Sequence, residues 1–84
     1  MNYRVLIRRS AQKELGNLPA EIRQRIYSAL MSLATNPRPH GCKKLQDREA
    51  WRVRIGNYRA VYEIDDHEKI AVVMRVAHRR EVYQ

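Results

Sequence analysis

Residues 50–65 constrain the fold most, because their pattern predicts a β-hairpin with one apolar and one basic face. Apolar residues alternate with two arginines before Gly56, and period-two alternation is typical of a half-buried strand. Gly56 and Asn57 form a two-residue turn signal, and a second alternating stretch follows. A turn of this length fixes the register of the two strands and sets Arg54 opposite Arg59.

The predicted register separates the hairpin side chains into two sets. The apolar face carries Trp51, Val53, Ile55, Tyr58, Ala60, Tyr62 and Ile64. The other face carries Arg52, Arg54 and Arg59, although like charges directly opposite each other destabilise a sheet. Three guanidinium groups held together therefore indicate a bound anion, for which phosphate is the usual candidate. The alternative is a solvated basic face with Glu63 as its local counter-charge.

Length and charge limit the class of protein. A chain of 84 residues predicts one domain, residues 1–84, and a net charge of +8 predicts a polyanionic partner. The single cysteine, Cys42, excludes an internal disulfide and fits a reducing cytoplasm. No Cys/His cluster has zinc-site spacing, and no apolar run is long enough for a signal peptide or membrane span, so neither a metal nor a membrane is expected.

Two helices are predicted after an opening strand over residues 3–8. Ser10 is the expected N-cap of the first helix, and Gly16 with Asn17 is its expected end. Pro19 suits the first turn of the second helix. The apolar stripe of that helix comprises Ile22, Ile26, Ala29, Leu30, Leu33 and Ala34.

The remaining segments are a long loop and a last strand. Residues 37–50 are predicted to be a loop, and loops of this length are often functional. This loop adds the positive charges of Lys43, Lys44 and Arg48. After a polar turn, residues 70–77 predict a buried strand with Arg75 inside it. A five-residue turn would set Arg75 opposite Arg59, whereas a four-residue turn would set it on the other side.

The predicted fold class is α+β. A strand and a two-helix hairpin precede a three-stranded antiparallel meander, with the helices on one sheet face and a basic groove on the other.

The groove residues suggest metal-free cleavage of RNA. The sequence has no carboxylate set for a two-metal site and no glycine-rich phosphate loop. In RNA, the 2′-OH can attack the adjacent phosphate, and arginines stabilise the charge that develops there. Tyr83 is the candidate base, because guanidinium groups stabilise a nearby phenolate, and His78 is a candidate acid or base. The alternative roles are stacking or edge packing for Tyr83 and strand termination for His78.

Three segments carry a resemblance to a known family: Lys44 with Leu45, residues 51–65, and residues 76–83. Together with the opening strand and helices, they resemble the RelE toxins of the RelE/ParE superfamily. The resemblance implies a cytoplasmic type II toxin that cleaves mRNA in the ribosomal A site, without metal or other cofactor, leaving a 2′,3′-cyclic phosphate. It also implies a RelB-like antitoxin that wraps the toxin, in a complex of higher order.

The resemblance assigns roles by position. Arg52 and Arg54 fall where the best-known RelE has two catalytic lysines. Arg59 matches an arginine that contacts the scissile phosphate. Arg79 matches the arginine that stabilises the transition state, with Arg80 as the alternative alignment, and Tyr83 matches a tyrosine that stacks on the base or transfers a proton.

The departure from lysine to arginine matters for proton transfer. Arginine is a poor general base, so this duty would pass to Tyr83 or to a carboxylate such as Glu49 or Glu63. The predicted catalytic set is Arg52, Arg54, Arg59, His78, Arg79 and Tyr83. The predicted RNA-binding set is Lys43, Lys44, Arg48, Arg75 and Arg80.

Three other functions fit parts of the sequence. A toxin of the ParE branch would share the fold and inhibit DNA gyrase without nuclease activity. A basic nucleic-acid-binding module would bind without catalysis. A decayed toxin would keep only antitoxin binding.

Overall fold

The computed structural model describes residues 2–46, 48–78 and 80, which form a five-stranded sheet with helices against one face. The elements in chain order are β1 (Arg4–Ile7), α1 (Arg9–Gly16), α2 (Ala20–Met31), a 3₁₀ turn (Ser32–Ala34), β2 (Lys43–Lys44), β3 (Trp51–Ile55), β4 (Tyr58–Asp65) and β5 (Ile70–His78). The predicted order of strand, two helices and three strands is confirmed. The predicted site residues Arg79 and Tyr83 lie outside the described residues.

The strands are ordered β1-β5-β4-β3-β2 across the sheet. β3, β4 and β5 form the predicted antiparallel meander. β1 pairs with β5 in parallel, so the first and last strands of the described residues are neighbours and the sheet is mixed. The two edge strands among the described residues are β1 and β2.

The β3–β4 hairpin has the predicted register. Arg54 pairs with Arg59 and Val53 with Ala60. Gly56 has φ +61°, a left-handed conformation that residues with a Cβ rarely adopt. A two-residue turn with this conformation matches the twist of the strands, which is why the short signal predicted the register correctly.

The core lies between the helices and the apolar face of the sheet. Ile26, Leu30 and Leu33 from the predicted helical stripe are buried against Tyr62 and Val73. Ile26 and Leu30 are four residues apart and share one side of α2, and Leu33 follows in the 3₁₀ turn, whereas alternation places the strand residues on one side of the sheet. The apolar residues of the helices and of the strands thus form a single core cluster.

The helix termini differ in part from the predictions. Ser10 is not an N-cap, because α1 already begins at Arg9 with Arg8 in the N-cap position. The Ser10 hydroxyl instead donates to the Met74 carbonyl at 3.4 Å. The predicted end of α1 is confirmed, since the helix ends at Gly16. α2 ends at Met31, so the last two residues of the predicted stripe, Leu33 and Ala34, lie in the 3₁₀ turn that follows.

Residues 37–50, predicted to be one long loop, contain the short strand β2. Lys43 pairs with Arg52 and Lys44 with Trp51, so β2 extends the sheet beyond the hairpin. Two consecutive lysines give no period-two signal, and the strand forms because the hairpin edge offers unpaired backbone groups.

Neither α1 nor α2, the α-helices of the described chain, has the length and apolarity needed to cross a membrane.

Candidate RNA-binding face

Three arginines lie on the sheet face opposite the helices, and we call Arg52, Arg54 and Arg59 the arginine face. Arg54 and Arg59 are directly paired, and Arg52 pairs with Val61 two positions further along the strands. Paired residues in antiparallel strands are about 5 Å apart between Cα atoms. The three predicted catalytic arginines therefore share one surface.

The exposure of the three arginines differs. Arg52 and Arg59 are half-buried, whereas Arg54 is exposed. The Nε atom of Arg54 donates to the Gly56 carbonyl at 3.0 Å, which holds this side chain toward the hairpin turn. Arg52 and Arg59 are therefore the residues of this face that lie closest to low-dielectric surroundings.

A small apolar cluster forms the floor beside these arginines. Val61 pairs with Arg52, Ala77 pairs with Arg59, and both apolar side chains are buried under residues of the 45–50 segment. The covering residues are Leu45 and Ala50. Charges interact more strongly beside an apolar surface than in open water, so an anion bound here would gain more from each guanidinium.

The basic residues of the 43–48 segment divide between two environments. Lys43 pairs with Arg52 and extends the arginine face by one positive charge. Lys44 pairs with Trp51, whose side chain packs on the core, and its ammonium forms an ion pair with Glu49 at 3.2 Å. Arg48 is exposed.

The Arg75 side chain forms an ion pair with Glu14 of α1. The β4–β5 turn has four residues between the paired Asp65 and Ile70, so the five-residue alternative is wrong. A bulge then shifts the register, and Arg75 pairs with Val61, which also pairs with Arg52. The opposite side, expected for Arg75 after a four-residue turn, is therefore also wrong. Its guanidinium donates from Nε and Nη2 to the Glu14 carboxylate of α1, at 3.2 and 3.0 Å.

His78 lies on the opposite side of the hairpin from the arginine face. It pairs with Tyr58, a core-face residue, and the two rings meet edge to face with centroids 5.5 Å apart. Its Nδ1 accepts the Arg80 backbone N–H at 3.3 Å, which leaves Nε2 to carry the proton of the neutral ring. Arg80 itself is exposed. The structure thus does not bring His78 together with the three arginines.

The two candidate carboxylates, Glu49 and Glu63, lie away from the arginine face, toward the end of β4. Glu49 and Glu63 line a shallow cavity of about 560 Å³ together with Leu6 and Val72. Glu63 is four residues from Arg59 along β4, or about 13 Å. This open surface therefore has a basic end and an acidic end, and the carboxylates are not interleaved with the arginines. Within residues 2–46, 48–78 and 80, no three His, Cys, Asp or Glu side chains are grouped closely enough to hold a metal ion.

Residues 5–83 match the family of ParE toxins of type II toxin–antitoxin systems (parDE). The chain belongs to the RelE/ParE superfamily of type II toxins. It is 33% identical to toxin RelG of Mycobacterium tuberculosis over 87 residues, covering 100% of this chain and 99% of RelG.

Solved structures of RelE toxins resemble this RelE/ParE toxin in fold. The archaeal RelE–RelB complex of Pyrococcus horikoshii OT3 has a TM-score of 0.85 at 26% identity, covering 98% of this chain and 100% of that one. The toxin–antitoxin complex RelBE2 of M. tuberculosis has a TM-score of 0.82 at 30% identity, covering 93% and 99%.

The toxin also contains a loop clasp that the sequence reasoning missed, formed by Tyr3, Arg38 and Asp66. Arg38 donates from Nη1 and Nη2 to the Asp66 carboxylate at 3.2 and 2.9 Å, and the Tyr3 hydroxyl donates to the same carboxylate. The Arg38 guanidinium also lies 4.9 Å from the centre of the Trp51 ring. The clasp ties the start of the 37–50 segment to the sheet. No sequence signal joins residues so far apart in the chain.

The clasp predicts acid sensitivity. Hydrogen bonds from Arg38 and Tyr3 lower the pKa of Asp66 from 3.8 to about 2. A carboxyl whose pKa is lower in the folded state stabilises the fold above its ordinary pKa, and this contribution is lost as pH falls through the folded value. We expect the wild type to melt above Asp66→Asn near about pH 6, with the difference disappearing toward about pH 2. Thermal melts across this range check the prediction.

Glu63→Gln, at an exposed position on β4, is the control for this prediction. A difference in melting temperature between wild type and Asp66→Asn that is constant with pH would contradict the account.

Proposed function

We propose that this toxin is a metal-independent endoribonuclease that cleaves mRNA on the ribosome by attack of the 2′-OH on the adjacent phosphate. The product would be a 2′,3′-cyclic phosphate, formed as the bond to the 5′-oxygen breaks. The observation that supports this most is the pairing of Arg54 with Arg59 beside Arg52, on a sheet face left open by the helices. A fold that needed only solubility would gain nothing from like charges in direct opposition.

The proposed chemistry is electrostatic. During the attack, negative charge builds up on the non-bridging phosphate oxygens, and preorganised donors stabilise it without reorganising. Arg52 and Arg59 would bind these oxygens beside the floor of Val61 and Ala77. Guanidinium groups do not transfer protons near neutral pH, so another group moves the proton from the 2′-OH, and Tyr83 is the candidate from the sequence.

A cleavage assay tests the proposal. The full chain is incubated with a defined mRNA in EDTA, once free and once programmed on translating ribosomes, and the new 3′ ends are analysed for a cyclic phosphate. We expect cleavage that depends on the ribosome and persists in EDTA. A folded protein that leaves mRNA intact in all conditions would contradict the proposal. In that case induction of a DNA-damage response would favour the ParE-like function, which the family match also allows.

We also propose that a RelB-like antitoxin binds along β1. RelE proteins similar to this chain were solved as complexes with RelB. β1 is an edge strand, and a cavity of about 670 Å³ lies between it and the two helices. Leu6 and Tyr27 line the cavity and are 41% and 49% exposed. Arg4 begins the strand and Arg8 follows it, so an acidic, partly apolar segment of the antitoxin complements this surface.

The β1 surface yields a prediction. Tyr27→Glu puts a negative charge into an apolar contact with an acidic partner, and we expect it to weaken antitoxin binding by about 30-fold, the effect of a hot-spot residue. Ser28→Glu makes the same change at the next exposed position of α2, outside the cavity lining, and should bind within a few-fold of wild type. Calorimetry with the purified antitoxin measures both. Equal weakening by the two variants would place the interface elsewhere.

A further inference from the structure

The outer edge of β5 is covered by a strand along one half and by a helix along the other. β1 pairs with β5 only as far as Ile7 opposite Val73. Beyond this point the edge meets α1, and its residue Glu14 accepts the Val76 backbone N–H on Oε1 at 2.6 Å. The carboxylate of Glu14 thus takes the place that a strand carbonyl would have.

The second oxygen of Glu14 holds the neighbouring side chain. Oε2 accepts from Nε and Nη2 of Arg75, at 3.2 and 3.0 Å. A carboxylate that receives a forked guanidinium is held in direction as well as attracted by charge. Glu14 therefore binds two consecutive residues of β5, one through its backbone and the other through its side chain.

These two residues directly follow the bulge in β5. Tyr62 pairs with Val73 but Val61 pairs with Arg75, so Met74 is the extra residue. Without the bulge, Arg75 would be opposite Ala60, which is fully buried on the core face. A guanidinium there would carry a large desolvation cost. The bulge therefore keeps Arg75 out of the core and places Val76 there, opposite Ala60.

The bulge also determines which face the end of β5 presents. With it, Val76 is opposite Ala60, and Ala77 is opposite Arg59 in the apolar floor. A slip of one residue would exchange these faces for every later residue of the strand. The position of Ala77 in the apolar floor beside Arg59 thus depends on the contacts that hold the bulge.

We propose that Glu14 is a positioning residue for RNA cleavage, acting through the bulge to hold the end of β5 in phase with the arginine face. This inference rests on the proposed nuclease function. Glu14 touches no RNA in this scheme. It restrains the strand end, so its loss should lower the rate of the chemical step and leave RNA binding by the arginines intact.

Three variants separate the contacts of Glu14. Glu14→Ala removes both contacts, whereas Glu14→Gln keeps an oxygen that can accept the Val76 N–H. Arg75→Ala removes only the fork. Ala11→Gly, at a buried position of the same helix, weakens α1 but keeps the Glu14 side chain and both of its partners, and it controls for a general loss of stability.

The readouts are kcat and KM for cleavage of a defined mRNA on programmed ribosomes, and amide hydrogen exchange of the full chain. We expect Glu14→Ala to lower kcat by about 10- to 100-fold with KM nearly unchanged, the loss typical of reacting groups displaced by about 1 Å. Glu14→Gln should recover most of the rate. Exchange at Val76 should rise about tenfold in Glu14→Ala and remain at the wild-type level at Val73.

Three results would overturn the inference. Unchanged kcat in Glu14→Ala, with faster exchange at Val76, would make the contact purely structural. Unchanged exchange at Val76 would mean that Glu14 does not hold the strand. An equal loss of kcat in Ala11→Gly would assign the effect to stability. Absence of cleavage by the wild type is a separate result, which removes the proposed function and the inference with it.

Discussion

Arg52→Ala and Arg59→Ala are each expected to lower the rate of mRNA cleavage by about 100- to 1,000-fold, the loss measured when one preorganised charge donor is removed from an active site. Both side chains are half-buried beside the Val61 and Ala77 floor, where water screens their charge least. Arg54→Ala should have a smaller effect, because Arg54 is exposed and water screens its charge more strongly.

The matched control for this series is Arg9→Ala. Arg9 is the first residue of α1, on the helix layer, and is exposed, so the variant loses the same charge far from the arginine face. It should cleave at nearly the wild-type rate. If all four variants lost activity to the same modest extent, the arginines would act only through net charge, and the arginine face would not be a site.

Tyr62→Ala is expected to lower the free energy of unfolding by about 3–5 kcal/mol, the range for deleting a large buried aromatic side chain. Tyr62 is fully buried and is the largest such side chain in the described core. A domain of this size has about 4–13 kcal/mol of stability in total, so the variant should be close to unfolding at ordinary temperatures. Urea denaturation measures the change.

Tyr62→Phe separates packing from hydrogen bonding at the same position. The Tyr62 hydroxyl donates to the Pro37 carbonyl at 2.7 Å, and burial raises the pKa of this tyrosine. Removing the donor should cost about 1–3 kcal/mol, because the carbonyl loses its partner. Tyr27→Ala, at an exposed position, should change stability by less than about 0.5 kcal/mol. A Tyr62→Phe variant as unstable as Tyr62→Ala would assign the whole effect to the hydrogen bond.

The parts of the fold that the sequence predicted correctly are those determined by local signals. Gly56 and Asn57 define a turn of two residues, and a short turn leaves one register for the strands that it joins. The same logic placed Arg54 opposite Arg59. The apolar stripe of α2 was also predictable, because the three- and four-residue spacing of its apolar residues depends on the helix alone and on no other part of the fold.

The errors arise where distant residues determine the local structure. The turn after β4 was ambiguous by one residue, and the bulge that settles the phase of β5 depends on Glu14, about 60 residues away. β2 forms because an edge strand is available to pair with, and its own sequence gives no sign of it. His78 was expected near the arginines, but the bulged register sets it against Tyr58.

The position of β5 has a consequence for how the chain folds during synthesis. β5 is the last strand among the described residues, yet it lies between β1, the first of them, and β4. Until it emerges during synthesis, β1 has no strand to pair with, and the Ala77 part of the floor is missing. A growing chain therefore keeps β1 and the outer side of β4 unpaired until residues 70–78 have left the ribosome.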